Sequence, residues 1–140
     1  MKYILDTCFI SEFQKPHPAA AVRDWLAKQH EGDLYLSVLT LGEIQKGVSQ
    51  LSDGRKKTTL QSWLDRDLRE RFEDRIVQIS DDVAVTWGRI AGELQRRGTP
   101  IPVVDALIAA TAMTIDATVV TRDDTNISRA GARTFNPWNP

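Results

Sequence analysis

The chain has 140 residues, 41% of them hydrophobic and 26% charged, with a formal net charge of −1. That length suits one domain with one core, and the near-neutral balance excludes a protein held to nucleic acid by bulk electrostatics. No window reaches the roughly 18 uncharged apolar residues of a membrane span. Asp6 interrupts the first apolar run too early for a signal peptide, and the lone Cys8 excludes both an intrachain disulfide and a thiolate zinc site.

In chain order, Tyr3-Ile4-Leu5 followed by Asp6-Thr7 reads as a strand with a polar exit. From Pro18 to Gln29, Val22, Trp25 and Leu26 recur on one helix face, with Pro18 suited to a first turn. Gly32-Asp33 break that pattern, and Leu34 to Val38 form a second strand. Thr40 and Glu43 have capping-box spacing, which predicts a helix opening there and running through Ile44 and Val48. After the turn Ser52-Asp53-Gly54, Leu60, Trp63, Leu64 and Leu68 predict one helix from Arg55 to Glu70. Ile76 to Ile79 is a third strand.

Ser80 caps the clearest helix, with Val83, Trp87, Ile90 and Leu94 on one face and Gly98 as its stop. A loop through Pro100 and Pro102 leads to an alanine-rich helix, Val103 to Ile115. Thr118 to Thr121 is a fourth strand and Arg133-Thr134-Phe135 a fifth. Short apolar strands alternating with helices predict an α/β fold, a central parallel sheet of four to five strands flanked by helices. No linker or repeat divides residues 1–140, which read as a single domain.

Ligands of open α/β sheets gather at the carboxyl ends of the strands. Asp6 follows the first strand, Glu43 lies early in the helix after the second, and Asp123, with Asp124 beside it, follows the fourth. Asp105 sits in the first turn of the helix before that fourth strand. Each acid alone has a local reason to be there, as a cap, a turn residue or a complement to a helix dipole. Together they would repel one another, a cost that folding tolerates best when a cation neutralises them. An all-oxygen set with no histidine or cysteine favours Mg²⁺ or Mn²⁺ over zinc, and such a site can hold a phosphodiester and activate water.

The pieces Ile4-Leu5-Asp6-Thr7, Ile10-Ser11-Glu12, Tyr35-Leu36-Ser37 with Glu43 and Gly47, Asp105 with Ile108 to Ala112, Thr121-Arg122-Asp123 and Phe135-Asn136-Pro137-Trp138 span nearly the whole chain. In that order and spacing they resemble the PIN-domain toxins of bacterial toxin–antitoxin pairs, the VapC type, in the FitB-like branch. The resemblance implies a PIN fold and Mg²⁺- or Mn²⁺-dependent RNA cleavage, with Asp6, Glu43, Asp105 and Asp123 as catalytic and metal-coordinating acids. It further implies a homodimer and an antitoxin partner, in FitB-like pairs a ribbon-helix-helix protein whose arginine-bearing tail enters the acidic pocket. The cytoplasm is the expected location because no membrane span or signal peptide is read in the sequence. Operator DNA would be reached only through that antitoxin. Two positions depart from the family pattern. Cys8 stands where relatives commonly have asparagine, and relatives often carry asparagine at the position of Asp123, so Asp124 could take or share its role.

Thr7 and Thr121 flank site acids and could orient metal-bound waters, or could simply be β-branched residues at strand ends. Ser11 and Glu12 read as a solvated turn, reaching the pocket only if that segment is helical. Arg55-Lys56-Lys57, Arg66, Arg69, Arg71 and Arg75 are interleaved with acids and read as a solvated helix face rather than an RNA track. Trp25, Trp63 and Trp87 belong to the core or a dimer interface, and His17 and His30 have no expected role. Aspartyl-phosphate chemistry and a receiver module both want a second acid beside the first strand's, and Cys8 stands two residues beyond Asp6 instead. The non-enzymatic alternative is a PIN-like module used only for binding or regulation.

Overall fold

The computed structural model describes residues 1–140. Five parallel strands form one sheet in the order β3-β2-β1-β4-β5. β1 is Lys2–Leu5, β2 Leu34–Ser37, β3 Ile76–Val77, β4 Ala117–Val120 and β5 Thr134–Phe135. β1 lies at the centre, with Ile4 registered against Tyr35 of β2 and Val119 of β4. Because consecutive strand residues face opposite sides, Ile4 and Val119 enter one core layer and Leu5 and Val120 the other.

The first layer is built by α6 (Asp81–Arg96), α7 (Val103–Thr114) and α8 (Thr125–Arg129). The alanines of α7 at 106, 109, 110 and 112 are fully buried, and their small side chains bring the helix close to β4 and α6. The second layer is built by α1 (Thr7–Glu12), α2 (Ala20–Ala27), α3 (Val38–Ser49) and the helical run that starts with α4 (Arg55–Ser62), whose continuation supplies the buried Leu64 and Leu68. Its centre is aromatic: Trp25 meets Tyr3 at 5.1 Å and Phe9 at 5.7 Å between ring centroids, both edge to face.

Ser80 caps α6 by accepting the Val83 N–H, and Gly98 ends the helix at φ +75°, where glycine alone escapes a steric cost. Several expectations need correction. The helix after β2 starts at Val38, because Ser37 caps it by accepting the Leu39 N–H; Thr40 is inside the helix, buried, with an unpartnered hydroxyl. The helix expected over 55–70 becomes α4, a wider π-type stretch Trp63–Leu68, and the single turn α5, Arg69–Arg71. β3 is two residues rather than four, and β4 ends at Val120, leaving Thr121 just past the strand. The segment after Asp6 is a helix, and Glu12 is 4% exposed rather than solvated.

Glu12 accepts the backbone N–H of Ala19 at 2.9 Å, the Lys15 ammonium at 3.0 Å and the indole N–H of Trp138 at 3.2 Å. The guanidinium of Arg122 lies 4.0 Å away and stacks over the Trp138 ring at 4.4 Å. Arg75 is a clamp, not a solvated side chain: it donates to the carbonyls of Glu31 and Leu34, while Arg71 forks onto the Glu31 carboxylate.

Candidate active site

The chain leaves β1 to the β2 side of the sheet and returns from β3 to the opposite side as β4. The carboxyl ends of β1 and β4 therefore form the crevice where open α/β sheets bind ligands. Asp6 terminates β1 and is the N-cap of α1, its Oδ1 accepting the Thr7 N–H at 2.8 Å. Its Oδ2 accepts the hydroxyl of Thr121, the fully buried residue just past β4, also at 2.8 Å. The Thr7 hydroxyl donates to Glu43 Oε1 at 2.7 Å. Glu43 projects from the second turn of α3, so its partner is Thr7 and not a capping box with Thr40.

Asp105 belongs to the first turn of α7, which runs back from this edge to enter β4 from below. Its Oδ2 accepts the side-chain amide of Asn126 in α8 at 3.0 Å. The structure thus brings Asp6, Thr7, Glu43 and Thr121 into one hydrogen-bonded chain, and pins Asp105 beside the carboxyl end of β4. Asp123 is exposed, and only its backbone carbonyl is engaged, by Thr121 at 3.4 Å. Asp124 is half-buried at the N-cap of α8 without capping it. Asn126 was missed from the sequence; the one signal for it was an amide three residues past Asp123.

The Cys8 thiol fills the space between the two strand ends. It accepts the Arg122 N–H at 3.4 Å and lies 3.6 Å from the Thr121 hydroxyl and 3.9 Å from Asp6 Oδ2. Burial, and then the Asp6 charge, push its pKa above the ordinary value against the opposing Arg122 N–H, so it stays a neutral thiol.

No lysine, arginine or histidine pairs with Asp6, Glu43, Asp105, Asp123 or Asp124. Half-buried carboxylates without a counter-ion are costly, and a bound cation offsets that cost. Glu43 Oε2 and Asp105 Oδ1 receive no donor from the protein and are the oxygens left for an ion or water. No three acidic, histidine or cysteine side chains converge closely enough to grip one ion directly. That donor set fits Mg²⁺, which commonly binds through one or two carboxylates and keeps several of its waters.

A profile of the PIN domain matches residues 3–132. The chain is 36% identical over 136 residues to Toxin FitB of Neisseria gonorrhoeae, covering 97% of this chain and 98% of that one. It is 31% identical over 137 residues to VapC ribonuclease Y4jK of Sinorhizobium fredii, covering 98% of each. Among solved structures, FitAB bound to an IR36 DNA fragment superposes with a TM-score of 0.90 at 35% identity, over 97% of this chain and 95% of that one. Sheet order, crevice and sequence agree: the chain belongs to the PIN-domain family, alongside FitB and the VapC ribonucleases.

Proposed function

We propose that this protein is a metal-dependent endoribonuclease and the toxin of a type II toxin–antitoxin pair. The observation that carries the reading is the set of half-buried carboxylates without a counter-cation at the switch point of the sheet, Asp6 and Glu43 joined through Thr7 and Asp105 held by Asn126. The kinship with Toxin FitB and the VapC ribonucleases supports RNA cleavage by a toxin. Asp6, Glu43 and Asp105 would hold Mg²⁺ or Mn²⁺, with Asp123 or Asp124 completing the set. When bound, the ion supplies positive charge against the phosphodiester and the leaving oxygen.

The chain's own residues do the rest. Both oxygens of Asp6 accept a donor, from Thr7 and Thr121, which fixes the carboxylate's rotation. Thr7 holds Glu43 by Oε1 and leaves Oε2 to face the ion or one of its waters. Asn126 orients Asp105 in the same way. The partner would be an antitoxin of the ribbon-helix-helix kind, bringing operator DNA to a homodimer of this chain, and the site of action the cytoplasm. The solved FitAB–DNA complex supports the antitoxin partner and the contact with DNA; the ribbon-helix-helix class, the homodimer and the cytoplasm rest on the sequence reading.

The test is cleavage of a mixed single-stranded RNA by the purified chain with Mn²⁺, with Mg²⁺ and with EDTA. Asp6→Asn and Asp105→Asn are each expected to be folded and inactive. A folded Asp6→Asn protein, free of contaminating nuclease, that cleaves at the wild-type rate overturns the mechanism. One observation favours the binding-only alternative: no three acids converge on a single point. A wild-type chain that cleaves nothing with either ion would establish it.

A further inference from the structure

Beside the acids lies a hollow of about 350 Å³ whose lining includes Thr7, Glu43, Gly47 and Lys56. It opens into a second, broader groove of about 720 Å³ bordered by Lys15, Arg55, Lys56 and Thr59. The two share Ser11, Gln14, Lys56 and Leu60 as a common wall. The inner hollow carries a carboxylate of the proposed centre; the outer groove carries three cations and no acid.

Two of those cations have no structural employment. Lys15 is bound to Glu12 and Lys57 to Asp53, but Arg55 and Lys56 are exposed and join no ion pair or side-chain hydrogen bond. They are also the first two residues of α4, where the helix dipole disfavours positive charge and where no acid and no capping side chain offsets it. Stability gives no reason for adjacent cations there. A polyanion passing along the groove does, since each phosphate neutralised releases counterions.

We infer that Arg55 and Lys56 form a phosphate track for single-stranded RNA that leads the strand from the groove into the acidic centre. The track deepens the nuclease reading and rests on it for its direction, but it is read out by binding alone. Of the basic stretch, only these two residues border the groove: Arg66 and Arg69 lie outside its lining, and Arg71 and Arg75 are occupied by Glu31.

The experiment compares the full chain with Arg55→Gln/Lys56→Gln and with Arg55→Lys. Binding of a fluorescein-labelled 12-nucleotide single-stranded RNA is followed by anisotropy in EDTA across a salt series. Cleavage of the same RNA is followed separately with Mn²⁺. The double variant is expected to bind about tenfold more weakly, and its log–log salt slope to fall by about 1.4, two phosphates at ~0.7 each. Its KM should rise with kcat within twofold, its melting temperature should hold, and Arg55→Lys should bind as wild type. Unchanged affinity and salt slope overturn the track, as does a variant impaired only in binding a protein antitoxin. If wild type binds as expected but cleaves nothing, the track stands and the nuclease reading falls.

Discussion

Glu12 and Asp6 sit at opposite ends of one six-residue helix and are treated in opposite ways. Glu12 is surrounded by donors, the Ala19 N–H foremost, then Lys15, then Trp138, which together outweigh its burial and hold its pKa below the ordinary value of 4.5. A depressed carboxyl pKa means that its contribution is complete above pH 4.5 and is lost as pH falls through the lower value of the folded state. Glu12→Gln removes that charge from a site 4% exposed. It is expected to cost about 2 kcal/mol at pH 7 and to flatten the fall in melting temperature as pH drops below about 4.5. An equal acid sensitivity in the variant would place the titrating group elsewhere. Asp6, with no cation at hand, should behave differently. Asparagine still caps α1, so Asp6→Asn is expected to melt within about 1 kcal/mol of wild type while losing RNA cleavage. Circular dichroism melts beside the cleavage assay separate the two effects.

Among the elements, α6 was the most legible and α8 the least. The face Val83, Trp87, Ile90 and Leu94 repeats over sixteen residues between a serine cap and a glycine stop, and all but Trp87 are buried, Trp87 being packed against the same cluster. Trp87→Ala is therefore expected to cost about 3 kcal/mol, the low end for truncating a core aromatic, with catalysis per folded molecule unchanged. A stable but inactive variant would contradict that. The five residues of α8 complete barely one turn, too short for any periodicity to register. The start of α3 was misread because Ser37 and Thr40 are both competent caps, and the sheet decided between them: Ser37 ends β2 with extended backbone, which lets its hydroxyl accept the Leu39 N–H. Asp6 and Asp105 stand at a strand exit and a helix start, local signatures that a sequence shows, whereas Glu43 was singled out by a capping-box spacing that the structure does not use. Partners were not legible: Asn126 reaches Asp105 across 21 positions and Trp138 reaches Glu12 across 126, distances over which no local pattern speaks.

For the molecule as a whole, the proposed ion at the crevice would tie stability to divalent cations. Ligands that bind only the native state stabilise it by mass action, about 2.7 kcal/mol at a hundredfold excess over Kd. Millimolar Mn²⁺ is expected to raise the melting temperature of wild type and to do so far less for Asp105→Asn. Equal shifts would mean that the ion binds elsewhere. The sheet order also sets when the proposed cleavage centre can exist during synthesis. The first strand to be made is the central one, and one of its two neighbours is β4, so the Asp6 carboxylate waits for a hydroxyl 115 positions downstream. Pairings so distant in sequence form late and slowly. A ribosome that releases its product before β4 lets go of a chain that already holds Asp6, Glu43 and Asp105 yet has nothing to align them. Polypeptides ending at Asp116 should accordingly be harmless on expression, and the hazard to the host confined to nearly finished molecules.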